Sequence, residues 1–88
     1  LGYVISNGSV APNPAKVQAI QDWPSPSNVK GLRGFLGLSE FYRKFIKNYA
    51  GIAQPLTALL RNDSFTWTDD AQIAFDHLKR AMVTALIL

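Results

Sequence analysis

The 88-residue sequence lacks cysteine altogether and contains a single histidine, His77. Without cysteine the chain cannot form disulfides or a zinc site built on thiolates, and this fits a reducing compartment without proving one. No apolar run approaches the roughly 20 residues that a membrane-spanning helix needs, and no charged-then-apolar leader opens the sequence. We therefore expect no membrane partner and no targeting signal. Both ends of the sequence read as cut from a longer polypeptide.

Acidic residues are also scarce. Six Asp and Glu residues stand against nine Lys and Arg residues, which gives a net charge of +3 at pH 7. The excess lies between residues 30 and 61, where Glu40 is the one acidic residue and the basic residues are Lys30, Arg33, Arg43, Lys44, Lys47 and Arg61. Such a segment is typical of a surface that contacts nucleic acid, although a solvated helix face kept basic for solubility fits the charge equally well.

The apolar residues predict one small, mainly helical domain. They make up 48% of the chain, enough for a single modest core. Asn7-Gly8 predicts a β-hairpin over residues 1–11, because this dipeptide accepts the positive φ angles of a tight turn. The rest of the sequence predicts about four helices. The expected fold class is mainly α, a small helical bundle with a short N-terminal β-hairpin, and a lone hairpin must pack on something to be stable.

Capping residues and prolines predict where three of the helices start or end. The first is expected to start at Pro14 behind an Asn13 N-cap and to end before Pro24. The third is expected over residues 55–60, opened by Pro55. The last follows a capping Thr68, and it has an apolar stripe at helical spacing formed by Ala71, Ala74, Phe75, Leu78, Ala81, Met82 and Ala85.

The second helix is expected to run from an Asn28 cap to about Asn48 and to have two different faces. Its core face comprises Leu32, Phe35, Ser39, Tyr42, Ile46 and Tyr49, extended on one side by Leu38 and Phe45. The opposite arc, the basic stripe, comprises Lys30, Arg33, Gly37, Glu40, Lys44 and Lys47, with Gly34 and Phe41 on its border. One helix would thus present a core face to the protein and a basic stripe to solvent.

Three glycines recur at intervals of three in this helix. Gly31, Gly34 and Gly37 each cost up to about 1 kcal/mol relative to alanine. Two explanations stay open. Close helix–helix packing, or a helix that starts late, would account for the glycines structurally. Alternatively, a flat surface without side chains would let the backbone approach a groove or sugar edge of a nucleic acid.

No group of residues predicts a catalytic or metal site. Asp69-Asp70 is an acidic pair of the kind that holds magnesium, but it follows a capping Thr68 at a helix start, where carboxylates are favoured by the helix dipole. We interpret His77 as a surface residue, because it has no cysteine nearby and Asp76 beside it points to another helix face. The serines lack a histidine base, and the glycines lack the motif of a phosphate-binding loop.

Several motifs follow one another along nearly the whole chain: Leu1-Gly2-Tyr3-Val4, Asn13-Pro14-x-Lys16-Val17, Trp23-Pro24-x-Pro26, Leu32-Arg33-x-Phe35-Leu36-Gly37, Phe41-Tyr42-Arg43-Lys44-Phe45-Ile46, Pro55-Leu56-Thr57-x-Leu59-Leu60, Phe65-x-Trp67 and Ala74-Phe75-x-x-Leu78-Lys79. In this order they resemble the reverse transcriptases of Ty3/gypsy-type retrotransposons and, more distantly, of retroviruses.

The resemblance implies a fragment that is not an enzyme by itself. Its parent polyprotein would be an RNA-directed DNA polymerase with RNase H, whose catalytic Tyr-x-Asp-Asp lies upstream and whose RNase H carboxylates lie downstream. No cofactor is expected here, although the parent would use Mg²⁺. Residues 1–12 would be a hairpin from the end of the palm, with Leu1 and Gly2 as a remnant of the primer grip. Residues 13–62 would be a thumb-like helical bundle, and residues 63–88 a connection helix leading toward RNase H.

The resemblance also implies a binding surface. In the family's thumb helix a polar residue, a glycine and an aromatic residue recur four residues apart along the minor groove of the template–primer, and Arg33, Gly37 and Phe41 match them. The expected nucleic-acid-binding residues are Lys30, Arg33, Gly37, Phe41, Lys44 and Lys47. They would grip an RNA–DNA hybrid or DNA duplex without sequence specificity. The expected location is intracellular, in a cytoplasmic particle or the nucleus.

A structural role is the alternative. The fragment would then pack on the palm, on RNase H or on another copy through its apolar surfaces, with no nucleic-acid binding when isolated. An exposed hairpin edge would favour this alternative, because unpaired strand edges invite self-association.

Overall fold

The computed structural model describes the backbone of residues 3–6, 9–12, 14–61 and 65–87, and the side chains of residues 14–61 and 65–87. Within these ranges the chain forms four α-helices: α1 (Pro14–Gln21), α2 (Val29–Phe41), α3 (Tyr49–Thr57) and α4 (Asp69–Ile87). Short 3₁₀ helices follow α2 at Arg43–Phe45 and α3 at Ala58–Arg61. None of the described helices is both long and apolar enough to cross a bilayer.

Two four-residue strands precede the helices. β1 (Tyr3–Ser6) and β2 (Ser9–Pro12) pair antiparallel, with Tyr3 opposite Pro12 and Ser6 opposite Ser9. The predicted turn dipeptide between them lies outside the described residues. Every residue of the described core belongs to a helix or to a connection between helices. We therefore correct the fold class to a helical bundle, because amphipathic helices supply the packing of the described core.

The longest helix, α4, is the centre of the bundle and contacts both α1 and α3. Its predicted apolar stripe is confirmed: Ala71, Ala74, Phe75, Leu78 and Met82 are buried, and Ala81 and Ala85 are half-buried. The ring of Phe75 lies 4.5 Å, centroid to centroid, from the ring of Phe35 on α2. Each large apolar side chain buried in this way contributes about 1.5–3 kcal/mol to folding.

The second helix is shorter than predicted. Asn28 caps α2 as expected, because its Oδ1 accepts a hydrogen bond of 2.7 Å from the backbone N–H of Gly31. The helix ends at Phe41, however, and not near Asn48. The chain continues as a 3₁₀ turn, and Asn48, just before α3, takes the left-handed conformation with φ 59°. This residue type adopts that conformation more readily than most, so the break needs no glycine.

The central residues of the predicted core face are buried despite this break in the helix. Leu32, Phe35, Ser39, Tyr42, Ile46 and Tyr49 are all buried, and Leu38 is half-buried. Phe45 is the exception, with 52% of its surface exposed. The buried positions after Tyr42 are Ile46 in the connection behind the 3₁₀ turn and Tyr49 at the start of α3, so they do not belong to one continuous helix with the rest of the core face.

The third helix starts earlier than predicted. It begins at Tyr49 and contains Pro55 in its interior, whereas the sequence predicted a helix over residues 55–60 with Pro55 at its start. Proline removes one backbone donor and crowds the carbonyl four residues before it. The helix persists because Ala53 and Leu56 are buried in the core, so tertiary packing compensates the local cost. After Thr57 the chain tightens into the second 3₁₀ helix.

The first helix is attached to α4 by both apolar and polar contacts. It starts at Pro14 as predicted, although the proposed cap Asn13 lies outside the described residues. Ile20 is buried and Trp23 is half-buried. Lys79 Nζ on α4 donates a hydrogen bond of 3.0 Å to the carbonyl oxygen of Trp23 and lies 4.9 Å from the centroid of the Phe75 ring. This contact fixes the end of α1 against the core.

Candidate nucleic-acid interface

The solvent side of α2 carries most of the predicted binding residues. Lys30, Arg33, Gly37 and Phe41 are all exposed, and Phe41 has 63% of its surface accessible. Helical geometry places residues four apart on one side, so Arg33, Gly37 and Phe41 follow one another along the helix. Gly34 is exposed on the same side. We call these five residues the α2 face.

Two glycines of the α2 face border open space. An added Cβ at Gly34 or Gly37 would meet no atom within 4 Å beyond the helix itself. Close packing within the described structure therefore does not account for either glycine. Gly31 differs, because its Cβ would lie 3.4 Å from Asn28 Oδ1 and 3.7 Å from the Cβ of Pro26. These neighbours belong to the cap and to the linker before α2 and lie at ordinary van der Waals distances, so packing against another helix does not account for Gly31 either.

Lys44 and Lys47 lie off the α2 face. Lys44 belongs to the 3₁₀ turn, and Lys47 belongs to the connection before α3, although both are exposed. The structure thus brings four predicted residues together on one helix and leaves two on the chain that follows. Gly34 is the residue that the predicted set omitted, although the helical wheel already placed it on the border of the basic stripe.

The charges of this region are mostly unpaired. In residues 14–61 and 65–87, the one ion pair joins Arg43 Nη1 to Glu40 Oε1 at 3.3 Å, and both side chains are at least half exposed. Such a surface pair contributes little to stability. It does pair the one acidic residue of α2, Glu40, with a cation. Lys30 and Arg33 have no carboxylate within 4 Å in the described part of the chain, so their charge is available to an anionic partner.

A buried hydrogen bond holds the inner side of α2. Ser39 Oγ donates to the carbonyl oxygen of Leu36 at 3.0 Å and lies 2.7 Å from Tyr49 Oη on α3. Burial raises the pKa of the Tyr49 hydroxyl above its ordinary value of 10.0. Arg43 adds a cation–π contact, with its guanidinium carbon 5.5 Å from the centroid of the Tyr49 ring. These contacts fix the orientation of α2 relative to α3.

The residues weighed for catalysis take structural positions. Thr68 Oγ1 accepts a hydrogen bond of 3.0 Å from the backbone N–H of Ala71, and Asp69 and Asp70 lie in the first turn of α4, as predicted. His77 is exposed on α4, which confirms its interpretation as a surface residue. Among the described side chains, no three His, Asp or Glu residues form a group that could hold a metal ion. Leu1 and Gly2, the proposed primer-grip remnant, lie outside the described residues.

Relatives of the chain are found among the proteins of mobile elements. No protein-family model matches it. It is 41% identical over 90 residues to the retrovirus-related Pol polyprotein of transposon 297 from Drosophila melanogaster, covering all of this chain and 8% of that protein. It is 48% identical over 86 residues to the uncharacterized mitochondrial protein AtMg00860 of Arabidopsis thaliana, covering 98% of this chain and 54% of that protein.

A solved structure shares the fold. The protease-reverse transcriptase of a foamy virus, determined in complex with double-stranded DNA, superposes with a TM-score of 0.74 and 26% sequence identity. The match covers 96% of this chain and 15% of the viral chain.

Fold and sequence together define the class: the chain is homologous to the reverse-transcriptase region of retroviral and retrotransposon Pol polyproteins. More particularly, its relatives include the Pol polyprotein of transposon gypsy itself, 44% identical over 64 residues, and the predicted resemblance to Ty3/gypsy-type reverse transcriptases is confirmed. The chain spans about half the length of the Arabidopsis relative and less than a tenth of the length of the Pol polyproteins.

Proposed function

We propose that this chain is the thumb and connection segment of an RNA-directed DNA polymerase, and that it grips the template–primer duplex through the α2 face without reading sequence. The segment contributes no catalytic group of its own. The carboxylates that bind Mg²⁺ in the parent polymerase would belong to other parts of the polyprotein, and the parent would act inside the cell. Residues 1–12, 13–62 and 63–88 would correspond to the palm end, the thumb and the connection.

One observation carries the proposal: Gly34 and Gly37 lie in the middle of an exposed, cationic helix face with nothing packed on them. Each lowers the stability of α2 by up to about 1 kcal/mol relative to alanine, and no contact in the described structure compensates this cost. A ligand that approaches the helix backbone closely would compensate it. A duplex supplies such a surface, with its sugar edges in the minor groove and its phosphates on either side.

The charges around the glycines suit a polyanion. Lys30 and Arg33 lie on the α2 face, and Lys44 and Lys47 are exposed on the segment that follows α2. Phosphate contacts of this kind are independent of sequence, and the affinity falls as salt rises. The DNA-bound state of the foamy virus relative is consistent with this role.

Charge reversal tests the proposal. Arg33→Glu combined with Lys44→Glu should weaken binding of an RNA–DNA hybrid on the order of tenfold or more, since each change removes an attraction and adds a repulsion. The measurement is fluorescence anisotropy of a labelled hybrid with the 88-residue chain at low and moderate salt. Arg61→Glu, a single charge reversal at the end of the 3₁₀ helix that follows α3, should leave the affinity much closer to that of the unchanged chain. Equal affinity for all three proteins would refute the proposal.

A second role is favoured by a different observation. Ile73 on α4 has 65% of its surface exposed, and it borders a groove of about 320 Å³. Ile52 and Pro55 of α3 supply further apolar surface there, and Asn48, Asp70 and His77 are its polar border. Apolar surface of this kind is typical of a contact with another protein surface. The contact would be with the palm, with RNase H, or with another copy of the chain.

Sedimentation of the isolated chain tests whether copies of it associate through this surface. If Ile73 mediates self-association, the sedimentation coefficient should rise with concentration, and Ile73→Lys should abolish the rise. A coefficient that does not change with concentration would exclude association of copies through this surface.

A further inference from the structure

A cationic groove lies between the segment that follows α2 and helix α4. This groove, which we call the α4 groove, has a volume of about 370 Å³. Phe45 and Lys47 border it on the side of the connection, and Ile52 contributes to its apolar part. The polar residues on the side of α4 are His77, Arg80 and Thr84, and Ala81 and Ala85 lie between them. None of the α4 residues belongs to the predicted duplex-binding set.

The α4 groove carries positive charge without a compensating carboxylate. No Asp or Glu borders it, and neither Lys47 nor Arg80 has a carboxylate within 4 Å in the described ranges. The acidic residue one helical turn before Arg80 is Asp76, which accepts a hydrogen bond of 3.1 Å from Gln72 Nε2. Asp76 borders a neighbouring groove that Arg80 and Thr84 also line, but it does not border the α4 groove itself. An anionic ligand would therefore meet two available cations in the α4 groove.

Phe45 supplies an aromatic surface at the same place. Its side chain is 52% exposed, although the sequence pattern placed it beside the core face. Within the described residues its ring makes no contact with another aromatic ring, whereas Phe41 packs edge-on against Tyr42. An exposed aromatic ring beside a cationic groove is the arrangement by which proteins hold unpaired nucleotides, with the base on the ring and the phosphates at the cations.

We propose that the α4 groove binds an unpaired nucleotide of a single-stranded nucleic acid. The base stacks on Phe45, and the flanking phosphates bind Lys47 and Arg80. Thr84 offers a hydroxyl that can hydrogen-bond a phosphate or sugar oxygen. A fully paired duplex does not satisfy this site, because its bases are already stacked on one another and their faces are not accessible. The site is thus distinct from the α2 face and goes beyond duplex gripping.

The test titrates the 88-residue chain with fluorescent ten-nucleotide oligothymidine and oligouridine at low salt. The unchanged chain should bind both. Phe45→Ala should weaken binding about five- to a hundredfold, the loss expected when one stacking partner is removed. Arg80→Gln should reduce the slope of log affinity against log salt by about 0.7, the contribution of one phosphate contact on a single strand.

Two control variants show whether the loss of single-strand binding is specific to the α4 groove. Ile87→Ala removes a similarly exposed apolar side chain of α4 that does not border the α4 groove, and Arg61→Gln removes a charge elsewhere; both should bind oligothymidine like the unchanged chain. Circular dichroism checks that every variant keeps its helix content.

A parallel titration with a hybrid duplex distinguishes this site from the α2 face. Phe45→Ala should keep its duplex affinity while it loses affinity for the single strand. Three results would overturn the proposal: no single-strand binding by the unchanged chain, no effect of Phe45→Ala and Arg80→Gln, or a loss caused by Phe41→Ala instead. None of them would bear on duplex binding by the α2 face.

Discussion

Tyr49 Oη lies 2.7 Å from Ser39 Oγ, and this buried hydrogen bond joins α3 to the inner side of α2. Ser39 uses its one hydroxyl hydrogen to donate to the carbonyl oxygen of Leu36. The hydrogen between the two side chains must therefore come from Tyr49, since a serine hydroxyl has a single donor and accepts through its lone pairs. Because Tyr49 is the donor, mutation of Ser39 and mutation of Tyr49 should lower the stability by different amounts.

Removing either partner should have unequal effects. Ser39→Ala leaves the buried hydroxyl of Tyr49 without an acceptor and should cost about 1–3 kcal/mol, offset in part by the better helix propensity of alanine. Tyr49→Phe leaves Ser39 still bonded to Leu36 and should cost only about 0.5–1.5 kcal/mol. Urea unfolding of both variants and the double variant measures this. A double variant whose loss equals the sum of the two single losses would show that the hydrogen bond contributes no coupling.

Stability should also depend on pH through Tyr49. Because burial raises the pKa of its hydroxyl in the folded state, the unfolded chain ionises first as pH rises. The contribution is fully present below the pKa of the unfolded chain, near 10, and is lost as pH rises through the higher pKa of the folded state. The unchanged chain should therefore lose more stability above pH 10 than Tyr49→Phe. The free energy of unfolding is measured with urea at pH 8 to 11. An equal decrease with pH for the unchanged chain and for Tyr49→Phe would contradict this prediction.

The N-cap of α2 should contribute about 1 kcal/mol to the free energy of unfolding. Asn28→Ala removes the acceptor of the Gly31 N–H and should destabilise the chain by about 0.5–2 kcal/mol. Asn28→Ser is the control, because serine is an equally good cap and should keep most of the stability. Thermal unfolding measures both variants, and equal losses for alanine and serine would show that the hydrogen bond is unimportant.

The turn before α3 should show coupling between two positions. An added Cβ at Gly51 would lie 2.7 Å from Asn48 Oδ1, so the Asn48 side chain must move before alanine can be accommodated. Gly51→Ala should therefore stabilise the chain more in the Asn48→Gly background, where the gain in helix propensity approaches about 1 kcal/mol. Glycine also accepts the positive φ of position 48. Urea unfolding tests this, and an equal gain in both backgrounds would exclude the coupling.

The hydrophobic pattern predicted the buried side of the bundle well. Periodicity identified the apolar stripe of α4 and all six central positions of the α2 core face, because burial depends on which side chains are apolar and on their spacing. It did not predict where α2 ends. Tyr42, Ile46 and Tyr49 keep a helical spacing across a 3₁₀ turn and a left-handed Asn48, and no proline or glycine marks the break. A pattern of buried residues does not fix the backbone between them.

The exposed side was predicted only in part. The basic stripe was assigned correctly to solvent, but Lys44 and Lys47 were assigned to a helix that had already ended. Two explanations for the three glycines were equally consistent with the sequence. The space around each glycine in the structure was needed to distinguish Gly31 from Gly34 and Gly37. The exposure of Phe45 and the α4 groove depend on how distant helices pack, which periodicity within one helix does not encode.

The open space above Gly37 gives the most direct test of duplex binding by the α2 face. Gly37→Leu introduces a better helix former at an exposed position, so the fold should become more stable by up to about 1 kcal/mol. The same side chain should block close approach of the duplex. Ala50→Leu, at an exposed position of α3, is the control. Anisotropy with an RNA–DNA hybrid should show weaker binding for Gly37→Leu and unchanged binding for Ala50→Leu, whereas a Gly37→Leu protein that binds the hybrid as tightly as the unchanged chain would contradict the account.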